Sequence, residues 1–287
     1  MSTTATTAVS AAYRNYVLLV LVVLNLNNFL DRTSISVLAP SIQAEFGLSD
    51  TLVGLVMGIA FTAFYATLGF PLARMIDKHS RVKILSAVLA LWSAMAALCG
   101  AAQSFVQLFL FRIGVGIGEA GAGPASHSLI SDYFTKVQRP VALGIFSLGV
   151  PLGTFLGIYL GGILVGMIGW RWTFVALGAP GLLLALIVLW TIREPVRGGL
   201  DDPADIAVLR ASEVVPFWEV VRGLLASPTF RIMSLSAAPS ALCGYGMNLW
   251  MPSFITRIHD IEPAVFSLQL GLAIGVGGGL GAMLGGV

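Results

Sequence analysis

The chain has 287 residues, of which 57% are hydrophobic and only 10% charged, and its formal net charge is +2. Soluble domains carry about 25% charged residues, so a soluble globular protein is excluded, and a mean hydropathy of +0.90 indicates an integral membrane protein. No basic run is long enough to suggest nucleic acid, and Cys99 and Cys243 lie inside apolar segments, which argues against a disulfide or metal site.

The N-terminus, MSTTATTAVSAAYRNY, lacks a basic n-region and a cleavage site, so the first apolar run is expected to be retained rather than removed. Alternating ten-residue strands are absent, which favours a helical bundle over a barrel. Apolar runs near the ~20 residues that cross a bilayer predict spans at 16–39, 51–73, 84–104, 106–132, 141–167, 171–192, 232–256 and 264–287. The fold class is therefore an all-α membrane protein of about eight transmembrane helices.

Between the sixth and seventh spans lies one long polar stretch with Asp201, Asp202 and Asp205 and the amphipathic piece PFWEVVRGLLA. Such a stretch reads as a linker containing a helix that lies along the membrane surface. With the N-terminus in the cytoplasm, twelve of the sixteen lysines and arginines fall on the inner side, among them Arg14, Lys83, Arg139 and Arg197. The positive-inside rule then predicts a multi-pass protein of the cell membrane with a cytoplasmic N-terminus.

A weak internal repeat is present. Leu38-Ala39-Pro40-Ser41-Ile42 resembles Trp250-Met251-Pro252-Ser253-Phe254, at an offset of about 212 residues. Parallel repeats of this kind occur in transporters. The division it implies is a six-helix bundle at 1–192, a cytoplasmic linker at 193–230 and a partial second bundle of two helices at 231–287. On that plan the second half holds four spans fewer than the first. Glycines at 149, 153, 157 and 161, and again at 277, 281 and 285, recur every fourth residue, an interval that lets helices approach closely. Pro151 adds an expected kink in the fifth span.

Only four charged residues lie deep in the spans: Asp31, Arg32, Arg112 and Glu119. Each costs about 2.5–3.5 kcal/mol at a helix centre unless it is paired or solvated. Two acids and two bases sum to zero, so each carboxylate is expected to pair with an arginine. At about 1.5 Å per residue, Asp31 falls at a depth between Arg112 and Glu119. One reading is a neutral network that pins two helices together; the other is a relay whose carboxylates change proton occupancy during transport. Buried ion pairs stabilise weakly, which favours the second.

Among uncharged or singly placed polar groups, Asn27, Asn28, Tyr65, His127 and Asn248 are candidates to line a substrate cavity, and each could equally make one interhelical hydrogen bond. His127 and Glu119 do not match H-E-x-x-H zinc spacing, and phosphate-loop and dinucleotide signatures are missing, so neither an enzyme nor a cofactor is expected.

At the end of the second span, ARMIDKHSRVK resembles the signature loop of the major facilitator superfamily, with Asp77, Lys78 and Arg81 on its charged positions and Ala73 and Ser80 where glycines are common. NFLDR, GLSDTLVGL, RIGVGIGEA, SLGVPLGTFLG and IREPVRG are similar to the spinster-like branch of that family. The resemblance implies a rocker-switch carrier with a central cavity between two halves. Asp31 and Glu119 would be its proton-sensing acids, with Arg32 and Arg112 as their partners, and Asp77, Lys78 and Arg81 would form a conformational-switch loop. It also implies a small amphiphilic or anionic solute, lysolipid-like or an organic anion, moved with protons. The alternatives are another branch of the family, such as an organic-anion symporter or drug exporter, and a non-transporting membrane sensor or scaffold.

Overall fold

The computed structural model describes residues 10–201 and 217–285, and no strand occurs among them. The chain runs through α1 (Ala11–Phe46), α2 (Asp50–Lys78), α3 (Arg81–Cys99), α4 (Phe105–Glu119), α5 (Ala122–Tyr133) and α6 (Arg139–Ser147). It continues through α7 (Gly149–Gly178), α8 (Pro180–Thr191), α9 (Phe217–Ala226), α10 (Pro228–His259), α11 (Pro263–Gly271) and α12 (Gly278–Gly285). Leu55–Ile59 within α2 and Leu272–Gly277 between α11 and α12 are π-helical turns.

Local chemistry sets most boundaries. Hydroxyls of Ser10, Ser49, Ser80, Ser104 and Ser227 accept from backbone N–H groups three residues on, which caps α1, α2, α3, α4 and α10. Gly47, at φ 62°, ends α1 in the left-handed region where a side chain is costly. These caps carry α1 beyond the expected 16–39, because a helix can continue past the hydrocarbon region once its ends are satisfied.

Among the described residues, six helical runs are long and apolar enough to cross a membrane. One of them, Arg139–Thr191, has 53 residues, about 80 Å if straight and too long for one crossing. It turns back at Gly169, whose φ of 74° and ψ of 165° no helix can hold, and so divides into the predicted fifth and sixth spans. With α10 as the seventh, the crossings number eight among the described residues. α6 gives way to α7 at Leu148, three residues before Pro151, with helical dihedrals kept there (φ −62°, ψ −21°). Proline has no N–H to give to Ser147, four residues back, and its ring crowds that carbonyl.

Close glycine contacts assemble the bundle. A Cβ on Gly149, Gly153 or Gly157 would lie within 3.0 Å of α1 atoms, and one on Gly161 would lie 2.8 Å from Val37, so the predicted stripe of α7 is the face that α1 covers. The second predicted stripe is corrected. Gly281 has nothing within 4 Å and Gly277 meets only Leu272 of its own segment, whereas Gly271, Gly275 and Gly279 press on Pro151 and Phe155 of α7. Two residues along a helix is a rotation of about 200°, so the two stripes lie on opposite faces.

Two apolar clusters fill the interior. One gathers Val17, Leu21 and Leu24 of α1 with Leu89, Trp92, Leu129 and Val188. The other gathers Ile35, Leu38 and Ile42 of α1 with Leu108, Trp170 and Phe174. The stretch of α1 between them holds Asn25, Asn27, Asn28, Asp31 and Ser34, all buried. A polar layer is thus clamped between two apolar ones, halfway along α1.

α1 and α10 resemble each other in form. Each carries an internal proline near its end, Pro40 and Pro252, and each closes on a left-handed residue, Gly47 or Asp260. The predicted linker falls partly on residues 202–216, which lie outside the described ones; the amphipathic piece within it is helical as α9.

Candidate functional site

α4 brings its charges inside through its glycines. A Cβ on Gly114 or Gly118 would meet Met95 or Trp92 of α3, and one on Gly116 would lie 2.6 Å from the Phe61 carbonyl of α2. The alternation lets α2 and α3 close on opposite sides of α4, leaving Arg112 and Glu119 each 1% exposed. Arg32 of α1 crosses to Glu119, its Nη2 2.7 Å and its Nε 3.2 Å from Oε2. The second oxygen, Oε1, has no hydrogen-bond partner among the described residues. Arg32 also donates to Asn28 Oδ1 at 3.4 Å.

The expected pairing of both carboxylates with arginines holds for Glu119 alone. Asp31 accepts from Asn27 Nδ2 at 3.2 Å, one turn back on its own helix. Arg112 lies 5.7 Å from the centre of the Phe61 ring, and its Nε has no hydrogen-bond partner among the described residues. Adjacent residues point about 100° apart on a helix, so Asp31 and Arg32 cannot face one partner together. Arg32 turns towards α4 at the level of Glu119, and Asp31 turns into the bundle.

Arg32 stands on the boundary of two cavities. The larger, about 1000 Å³, lies between α1, α6, α7, α10 and α12 and includes Asn248 and Tyr245 with many aliphatic and glycine positions. The smaller, about 220 Å³, is lined by Asn28, Tyr65, Glu119 and His127 among others. Of the candidate cavity residues, Asn28, Tyr65 and His127 thus share one chamber and Asn248 faces the other. Asn27 lines neither and is engaged by Asp31.

The signature loop separates into two kinds of residue. Asp77 and Lys78 are exposed, whereas Arg81 is 1% exposed. Its guanidinium bonds Asp132 of α5, Glu194 Oε1 at 2.7 Å, Ser128 Oγ at 3.2 Å and the Pro195 carbonyl at 2.8 Å. Glu194 also accepts from Ser80 Oγ at 2.7 Å and from the Val82 N–H at 2.9 Å, so it caps α3 from outside that helix. Burial would push its carboxyl upward, but the Val82 N–H, Arg81 and Ser80 outweigh that and hold it below the usual carboxylate range. Arg197 donates to the Ile76 and His79 carbonyls at 2.5 and 2.6 Å, and Arg139 pairs with Asp201 at 2.6 Å. Asp132, Ser128 and Glu194 escaped the sequence reading; the available signal was acids at helix ends on a face otherwise rich in bases.

At the opposite end a second cluster joins α10 to the first helices. Arg257 reaches Asp50 with two bonds of 2.6 and 3.0 Å and Gln43 with one of 2.5 Å. Trp250 lies against Gly54 of α2. Glu45 is held there by Arg171 at 2.6 Å and Trp170 Nε1 at 2.7 Å.

The Major Facilitator Superfamily sequence model matches residues 21–287. An MFS-type efflux pump of Mycolicibacterium smegmatis is 34% identical over 90% of this chain and 58% of its own length. Human protein spinster homolog 1 is 28% identical over 88% of this chain and 47% of its own. A crystal structure described as a bacterial homolog of the human lysosomal transporter spinster, inward-facing and unoccupied, superposes with a TM-score of 0.89 and 38% identity. That match covers 97% of this chain and 63% of the other. The chain therefore spans about half the length of the curated relatives it matches.

Proposed function

The chain belongs to the major facilitator superfamily, on its spinster-like branch, and from that premise we propose that it serves a secondary active carrier. The carrier moves a small amphiphilic or anionic solute, lysolipid-like or an organic anion, by proton-coupled alternating access. The observation that carries the reading is the Arg32–Glu119 ion pair, buried at the boundary between a large, largely aliphatic cavity and a small polar chamber. An apolar tail fits the first and a polar head the second, with Arg32 in reach of both.

The proposed coupling follows from the pair. A proton on Glu119 removes the charge that holds Arg32, and a freed guanidinium can take an anionic group of the solute. Asp31, without an arginine partner, is the second acid in the proposed relay, and Arg112 is the fixed positive charge near both. Asp77, Lys78 and Arg81 belong to the proposed switch loop, in which Arg81 is the anchored member.

The proposed topology places the Lys78 end in the cytoplasm and the Arg257–Asp50 contact outside, with residues 1–192 as one half, 193–230 as the linker and 231–287 as part of the other. The shared form of α1 and α10 supports the two halves. Closure at Arg257–Asp50, together with likeness to a structure described as inward-facing, supports an inward-facing state.

The test is uptake into proteoliposomes with an imposed pH gradient. Glu119→Gln is expected to abolish the pH-dependent part while the protein stays folded; unchanged proton-driven uptake refutes the proposal.

A further inference from the structure

Arg32 sits in an aromatic box. Its guanidinium carbon lies over three rings, 5.0 Å from the centre of Phe29, 4.7 Å from Phe61 and 5.0 Å from Tyr65. Phe61 and Tyr65, one turn apart on α2, are stacked at 5.4 Å and form a continuous wall. Glu119 from α4 closes the remaining side at 2.7 Å. Three helices thus contribute four side chains around the Arg32 guanidinium.

A helix-to-helix ion pair does not need this much. Glu119 and Asn28 already supply hydrogen-bond acceptors to the guanidinium. Ring faces carry negative charge density and attract cations, and rings grouped around a positive centre are a known means of recognising organic ammonium groups. An anion gains nothing from such walls. The box is also reachable, because Phe29 and Arg32 line both cavities while Tyr65 and Glu119 line the smaller one.

Arg32 is not sealed in. Its side chain keeps 16% exposure and borders the larger cavity, whose lining also includes the polar groups of Thr33, Ser36 and Asn248. An exchange in the box costs Glu119 no net charge, since one cation replaces another.

We infer that Phe29, Phe61, Tyr65 and Glu119 form a binding site for an organic ammonium group, which Arg32 occupies in this conformation and yields to a cationic ligand. The inference names a cargo chemistry for the carrier proposed above and rests on that reading for its meaning in transport; the binding itself does not.

The test is equilibrium binding to purified protein in nanodiscs, comparing choline with 3,3-dimethylbutan-1-ol, which has nearly the same shape and no charge. The wild-type protein is expected to prefer choline about tenfold. Arg32→Met, which removes the resident cation from the box, is expected to bind choline about tenfold tighter again. Tyr65→Leu is expected to reduce the preference in both backgrounds, and the size-exclusion profile reports whether each variant is folded. Equal binding of choline and the alcohol overturns the site. So does a preference confined to Arg32→Met, since the box would then lodge only the arginine. Choline preference without any proton-driven flux would overturn the carrier and leave the site standing, whereas flux without choline preference would do the reverse.

Discussion

Replacing each member of the Arg32–Glu119 pair in turn is expected to give unequal losses of stability. Both hydrogen bonds to Glu119 Oε2 come from Arg32, and the Glu119 side chain is 0% exposed. Arg32→Met therefore strands a carboxylate away from water, and removing one partner of a buried pair costs about 3–5 kcal/mol. Glu119→Gln is gentler. The guanidinium keeps Asn28, three ring faces and an opening to the larger cavity, so the loss is that of hydrogen bonds to a charged group, about 1.5–3 kcal/mol. The double variant leaves neither charge and is expected to be more stable than Arg32→Met alone, with a coupling of about 1–3 kcal/mol. Unfolding in detergent followed by tryptophan fluorescence measures all four proteins. Equal single losses that simply add in the double variant would refute the pair as a unit.

Further outcomes are expected at other positions. Gly157→Ala places a Cβ 2.2 Å from Thr33 Oγ1 and 2.6 Å from the Leu30 carbonyl and should cost about 1–3 kcal/mol by overpacking. Gly281→Ala, with nothing within 4 Å, should change stability by less than about 0.5 kcal/mol in the same assay. Because Glu194 is held below its ordinary value of 4.5, its contribution is full above that value and fades as pH falls through the folded one. Glu194→Gln should thus lower the melting temperature at neutral pH, with the gap closing in acid. Arg257→Gln removes both bonds to Asp50 and should raise thiol labelling of a cysteine placed at Gly54, beneath Trp250. Restoring an attraction with Asp50→Arg and Arg257→Asp together should lower it again, and labelling indifferent to all three would remove the contact from any gating role.

Much of the fold was legible because the membrane leaves few choices: apolar runs of the right length become helices when no water is present to satisfy the backbone. Pro151 inside one run was readable through local chemistry, whereas the serine caps and Gly47, which carry α1 beyond its expected ends, formed no part of that reading. The glycine register of α7 was readable for the same reason. That of α11 and α12 was not, since fourfold spacing starting at Gly271 and at Gly277 looks alike in sequence and only the position of Phe155 and Pro151 selects between them.

The polar layer divides in the same way. That Asp31, Arg32, Arg112 and Glu119 lie in spans follows from the sequence, because hydropathy and the cost of burying charge are properties of composition and position. Which of them touch was decided only by tertiary structure. Helical rotation sends Arg32 and Asp31 to different neighbours, and the depth of α4 against α1 decides that Glu119, rather than Arg112, meets the arginine. The rings around Arg32 come from α1 and α2, and the acids that hold Arg81 come from α5 and from the segment after α8. Apart from Phe29, one helical turn back from Arg32, these contacts join residues some 30 to 110 positions apart; they have no periodicity to betray them and exist only once the helices have packed.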